Sequence, residues 1–232
     1  MKILISAYAC EPLKGSEPTA GWNWIYELSK RGHNIYVITR SNNKFNIVSY
    51  LNKNRQDYKI NFIYHDLPKF FIKLKKLLKC TRIYYFLWQC SILKKCKILH
   101  EKNQYDVIHH LTFGGLRHFS LLGEIGAYTI IGPLGGAEKS PFWLRRHIGL
   151  KGLLSETIRD IFNLLTFVDP LYLRSIKKSN KFIFTTKSGL KHCPKIYRDK
   201  VQICPIIGLN EEDYSLSKVS CDKQKRVLFA GQ

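Results

Sequence analysis

Short apolar runs alternate along this chain with longer stretches of helical spacing, and that rhythm sets the expected architecture. Residues 2–7 are apolar and β-rich without alternation, the pattern of a parallel-sheet strand covered on both faces. Residues 36–39 repeat it. Between them, 21–30 carries Trp24, Ile25 and Leu28 at helical spacing, and Arg31-Gly32 places a cation and a glycine where the helix must stop. Further helices are expected over 45–51, 69–79, 82–102, 153–167 and 170–178, with a short one after Ser188. Strands are expected over 60–64, 105–110, 128–131, 181–185 and 201–205. Alternation of this kind predicts an α/β fold, a Rossmann-like parallel sheet with helices on both faces.

In such a sheet ligands sit beyond the carboxyl ends of the strands, so the loops that follow strands carry the candidate chemistry. The first, residues 10–19, contains Gly15 and Ser16 just ahead of the expected helix start. Free N–H groups and the helix dipole there suit an anion, and the same residues equally read as an N-terminal cap before Pro18. The loop has neither Gly-x-Gly-x-x-Gly nor Gly-x-x-x-x-Gly-Lys-Ser/Thr, which disfavours a simple NAD or ATP enzyme. His109 and His110 end the fourth strand, placed for acid–base or hydrogen-bonding work or for a purely structural role, with Gly114-Gly115 behind them. After the fifth strand comes Gly132-Pro133-Leu134-Gly135-Gly136-Ala137-Glu138, either a structural turn or a run of N–H groups for an oxyanion.

Composition changes the picture in two respects. Seven cysteines, at 10, 80, 90, 96, 193, 204 and 221, form no Cys-x-x-Cys pair, which disfavours a disulfide framework or a zinc site and predicts no metal. Met1 leads straight into a strand, and no apolar run reaches the length of a membrane span, so the expectation is neither export nor membrane crossing. The second respect is charge: 38 Lys and Arg against 17 Asp and Glu give a formal +21. This is either biased composition on a solvated surface or the mark of an anionic partner.

Residues 69–102 hold ten basic residues and one acid, Glu101. Over 69–79, Phe70, Phe71, Leu74, Leu77 and Leu78 share one helical face, while Lys73, Lys75, Lys76 and Lys79 fall opposite. Aromatic residues interleaved with lysines suit an anionic membrane surface, and an ordinary helical hairpin with solvated lysines is the competing reading. No nucleic-acid motif is present, and none is expected as a partner.

Ser6 to Pro12, Gly15 to Pro18 and Gly21 to Trp24 together resemble the opening of glycosyltransferase family 4 enzymes of the GT-B fold, in a subgroup with Ser-Ala-Tyr-x-Cys-Glu-Pro, Gly-Ser-Glu-Pro and Gly-Trp-Asn-Trp. Asp106 to His109 and the Gly-Pro-x-Gly-Gly-x-Glu loop extend that resemblance, although many members carry a histidine where Gly132-Pro133 stands here. Ile207 to Asn210 resembles the turn closing the N-terminal domain, and 226–231 the first strand of a second one. The resemblance implies a GT-B N-terminal domain over 1–210, with 211–232 a linker and first strand of a donor-binding domain whose Glu-x7-Glu element is not in this chain. It further implies a retaining hexosyl transfer from a nucleotide sugar, used as co-substrate with no cofactor, to a glycan or glycolipid acceptor in cell-surface polysaccharide biosynthesis. Gly15 and Ser16 would approach the donor phosphates; Glu17, His109, His110, Gly135, Gly136 and Glu138 would line the acceptor side. The expected location is cytoplasmic, at the inner face of the membrane. The alternative of another class is a non-catalytic basic module that binds membranes or polyanions.

Overall fold

The computed structural model describes residues 1–54, 59–78 and 81–206. The expected alternation is present. In chain order the elements are β1 (Lys2–Ser6), α1 (Ser16–Lys30), β2 (Asn34–Thr39), α2 (Lys44–Asn54), β3 (Ile60–Tyr64), α3 (Lys69–Leu78), α4 (Thr81–Asn103), β4 (Val107–His110), β5 (Tyr128–Leu134), α5 (Phe142–Arg145), α6 (Gly149–Leu164), α7 (Pro170–Lys178), β6 (Lys181–Phe184) and β7 (Val201–Ile203). The strands form one seven-stranded sheet in the order β3-β2-β1-β4-β5-β6-β7, and every pairing is parallel. The direction of winding reverses between β1 and β4, which makes the loops after these two strands the walls of the switch-point crevice.

The two faces are assembled by the period-two alternation of β1. Ile3 and Ile5 join Ile35 and Val37 under Trp22 and Ile25 of α1 and Ile47 of α2. Leu4 points to the opposite face, where Ile38 and Ile108 meet Tyr84, Tyr85, Trp88 and Ile92 of α4. At the far side, Ile131, Phe182 and Phe184 pack against Tyr172 and Ile176 of α7. Burial of apolar strands on both faces is why no polar alternation is visible along the central strands.

Three expectations are corrected. Helix α1 begins at Ser16 rather than Gly21, because Gly15, at φ +66°, turns the chain into the helix one turn earlier. Strand β5 runs on through Gly132-Pro133 to Leu134, with a register shift against β6 at that point, where residues from Gly132 onward were expected to be loop. The third concerns α3. Phe71, Ile72 and Lys75 face the core, while Phe70, Leu77 and Leu78 are exposed. Lys75 is therefore not on an outer cationic face: it lies over the Tyr84 ring and donates to the Tyr8 hydroxyl at 3.3 Å. Burial, reinforced by nearby Arg40, pulls its pKa down. Lys73 remains exposed, and the Lys76 side chain and Lys79 lie outside the described residues, as do the 207–210 turn and the segment 211–232.

Candidate functional site at the carboxyl edge of the sheet

The loop after β1 is held by its own residues before any ligand is considered. Glu11 is buried and accepts from Lys14 Nζ at 2.8 Å and Asn46 Nδ2 at 2.5 Å, while its amide bonds the Pro18 carbonyl. Ala9 N donates to Thr112 Oγ1 at 3.0 Å, tying this loop to the one after β4. Helix α1 crosses both at close range. A Cβ on Gly21 would stand 2.6 Å from the Ala9 carbonyl oxygen and from the Thr112 methyl, so only glycine fits.

Glu17, in the first turn of α1, faces inward along the edge. Its carboxylate accepts from the backbone amides of Phe113 at 2.6 Å and Gly114 at 3.2 Å. Those amides belong to the loop after β4, so Glu17 is the latch that fixes the start of α1 against it. Lys14, Gly15 and Ser16, by contrast, are exposed beside the helix start.

The loop after β4 is joined in turn to that after β5. Gly135 N donates to the Gly114 carbonyl at 2.7 Å and Leu116 N to the Gly135 carbonyl at 2.8 Å, a backbone bridge continuing the sheet past its strand ends. A Cβ on Gly114 would lie 2.3 Å from the Pro133 carbonyl oxygen. Beyond the bridge, Glu138 accepts from Gly136 N at 2.9 Å and from the Thr186 hydroxyl at 2.8 Å. Partial burial opposes its charge, but these bonds prevail and hold its carboxyl below the ordinary range. Asn163 of α6 donates to the Gly136 carbonyl at 3.1 Å, fastening α6 to the same loop.

His109 and His110 do not open on this edge, which corrects the expectation that they line it. Both lie within β4, in the middle of a sheet covered on both sides, and are 4% and 0% exposed. His109 Nε2 donates to the Gly132 carbonyl at 2.7 Å, and Trp24 lies edge-on to its ring. His110 sits with the Tyr85 hydroxyl 3.1 Å from Nε2 and the Gln89 amide 3.5 Å from Nδ1. Burial pushes His109 down to about 4 against the pull of the Gly132 bond. The same cause, with His109 and His118 as neighbours, pushes His110 down to about 3. Both rings are neutral at pH 7; His109 ties β4 to β5, and His110 ties β4 to α4.

The structure thus brings Glu17, Gly135, Gly136 and Glu138 into one connected edge, with Gly15 and Ser16 at its β1 end. It also brings in residues that the sequence reading passed over. A cleft of about 450 Å³ opens between the first turn of α4, the loop after β4 and the end of α6, and Gly136 is on its rim. Arg82, Arg117 and His118 line it beside Tyr85, Phe119 and Phe162. Arg117-His118 follows the noted Gly114-Gly115 by one residue, and that nearness was the available signal. Among the described residues no cluster of three or more His, Cys, Asp or Glu could hold a metal ion. No described helix is long and apolar enough to cross a membrane.

The doubly wound parallel sheet with its switch point defines the class, a Rossmann-like α/β domain. No family model matches the chain, and no curated protein matches its sequence. Among solved structures it is similar to UGT73P12 of Glycyrrhiza uralensis, crystallised with glycyrrhetinic acid 3-O-monoglucuronide, at 11% identity and a TM-score of 0.43, covering 88% of this chain and 49% of that one. It is similar at 10% identity and a TM-score of 0.42 to the glycotransferase of kitacinnamycin, over 94% of this chain and 55% of that one. The UDP-Glc/GlcNAc 4-epimerase of Campylobacter jejuni matches over 79% of this chain and 36% of that one, at 18% identity and a TM-score of 0.29. The chain spans about half the length of the first and less or little more of the others, and likeness at this level adds nothing about activity to the sheet order itself.

Proposed function

We propose that the chain is the N-terminal, acceptor-side domain of a retaining glycosyltransferase that moves a sugar from a nucleotide-sugar donor to a polysaccharide or lipid-linked acceptor in cell-surface polysaccharide biosynthesis. The observation that carries this reading is that the motif with the most specific resemblance, Ser6 to Trp24, occupies the β1 side of the switch-point crevice. Gly15 and Ser16 stand exposed at the start of a 15-residue helix, where a donor phosphate would meet free amides and the positive end of the helix dipole. The amides and side chains around Gly135, Gly136 and Glu138 would position acceptor hydroxyls. Glu17 contributes by holding the loop after β4, and His109 and His110 by tying β4 to β5 and α4.

The second half of a GT-B site would come from a donor-binding domain, so stabilisation of the transition state would be divided between two domains. Residues 1–232 alone should therefore give no sugar transfer with a panel of common nucleotide sugars, and transfer should appear on addition of a domain encoded in or beside the same reading frame that carries Glu-x7-Glu. In that active form Gly15→Val should lower kcat/KM at least about tenfold, since a side chain there must adopt a strained φ and stand in the phosphate approach. Turnover by 1–232 alone, or normal kcat/KM in a folded Gly15→Val enzyme, would rule the reading out.

A second reading, membrane contact through α3, is favoured by its geometry. Phe70 and Leu77 are 67% and 79% exposed, with Lys69 and Lys73 alongside. We infer that this face sits on an anionic leaflet, apolar side chains first and the lysines at the headgroups.

A further inference from the structure

The cleft beside the loop after β4 carries an excess of positive charge that no acidic residue among its described lining balances. Arg82 and Arg117 line it, and no Asp or Glu is among its lining residues. Burial first, and then the charges of Arg82 and Arg159, draw the Arg117 pKa down. The charges acting on His118 are again Arg82 and Arg117; burial is the main cause that takes it down to about 4, against its bond to the Phe113 carbonyl. Arg159 is bound to Glu156 at 2.6 Å and so is committed to α6. Among the described residues Arg117 has no ion pair, and its guanidinium lies 5.5 Å from the centre of the Phe162 ring. Two guanidiniums brought together, one of them partly desolvated, repel unless an anion lies between them.

The opposite wall is apolar. Phe86 and Phe119 are in edge contact at 5.2 Å, and Phe162 closes the third side. From Phe162 a row of exposed apolar residues runs back along α6 through Ile158 to Leu154, one helical turn apart each, a track of about 12 Å at 1.5 Å rise per residue. A ligand that satisfies the whole surface has an anionic head for the arginines and an apolar chain for the helix.

We propose that this cleft binds the phosphate or diphosphate head of an amphiphile, with Arg82 and Arg117 on the head and the apolar chain laid along Phe162, Ile158 and Leu154. Guanidinium forks match phosphate oxygens in pairs, and the aromatic wall excludes water from one side of that contact. As an assignment of the acceptor's chemical class, the proposal rests on the sugar-transfer reading. As a binding site it does not, because it needs no nucleotide sugar and no transfer.

The test is isothermal titration of the full chain with inorganic pyrophosphate, with farnesyl diphosphate and with farnesol. Pyrophosphate should bind, farnesyl diphosphate should bind about tenfold tighter or more, and farnesol should bind at least about tenfold more weakly than the diphosphate it lacks. Arg82→Gln and Arg117→Gln should each weaken both diphosphates about tenfold, and Phe162→Ser should narrow the gap between them. Lys53→Gln, which removes a charge from α2 instead, should change neither. Thermal melting checks that the variants fold, and Arg82→Gln, on an exposed residue, keeps the test alive if Arg117→Gln does not. The proposal is overturned if neither diphosphate binds, if farnesol matches farnesyl diphosphate, or if Lys53→Gln costs as much as Arg82→Gln. Diphosphate binding intact, with no sugar transfer even after the Glu-x7-Glu domain is added, would remove the transferase reading and leave the site.

Discussion

Glu17 shows how a residue can look like a ligand-binding group and serve the scaffold instead. Its carboxylate is shared by two backbone amides of the loop after β4, each a charge-assisted bond in a half-buried position. Glu17→Ala should lower unfolding free energy by about 2 kcal/mol in urea titration, and Glu17→Gln by less than half of that, because an amide oxygen still accepts. Equal losses would show that charge and not hydrogen bonding is what the latch uses. His109 and His110 make a pH prediction. Their folded pKa values of about 4 and about 3 lie below the ordinary 6.5, so the unfolded chain binds the extra protons in the window between. Stability is therefore full above pH 6.5 and falls as pH drops toward 4, by about 1.4 kcal/mol per pH unit for each ring. His118, also at about 4, adds a third ring to the same slope, so urea titrations at pH 7, 6 and 5 should show about a third of it gone in His110→Gln. Position at a strand end was legible for both histidines. Depth was not, because a strand of four residues buried on both faces offers no polar alternation to mark which side chains reach solvent.

Helix α3 carries the same lesson one level up. Its amphipathic spacing was plain, but ranking residues by hydropathy set all lysines outside, whereas a lysine stem packs well against aromatic rings with its ammonium on a hydroxyl. The helix therefore turns Phe71, Ile72 and Lys75 inward and leaves Phe70 and Leu77 in water. The two kinds of lysine should separate experimentally. Lys73→Gln should weaken sedimentation with phosphatidylserine vesicles about fivefold, as should Phe70→Ser with Leu77→Ser. Lys75→Gln should leave vesicle binding in place and lower the melting temperature. If all three changes affect only melting, α3 is not a membrane contact. At α1 the prediction is steric: Gly21→Ala places a methyl 2.6 Å from a carbonyl oxygen and should destabilise by about 1–3 kcal/mol, read as a lower urea midpoint with unchanged m.

At the scale of the molecule, the sheet and its crossovers were legible because the strands are short apolar-rich runs and every connection is long enough to return in parallel. The loops after β1 and β5 were legible for the same reason. The cleft was not: Arg82 comes from α4, Arg117 from the loop after β4 and Phe162 from α6, and no spacing along the chain brings these three together. The net charge of +21 acts on the whole fold, because 38 basic residues exceed 17 acids and most cations have no acid to pair with. Raising NaCl from 50 to 500 mM should therefore raise the melting temperature by a few degrees as self-repulsion is screened; a fall would mean that the ion pairs outweigh it.

The bridge between Gly114 and Gly135 is made of backbone alone. Arg117 and Phe119 hang from this frame, whereas the His118 ring also binds the Phe113 carbonyl, so the first two can be exchanged without unfastening it. Inheritance of the frame and invention at the pocket are thereby uncoupled. A lineage, or a library of variants at 117 and 119, could trade one ligand for another while the edge of the sheet stays as it is.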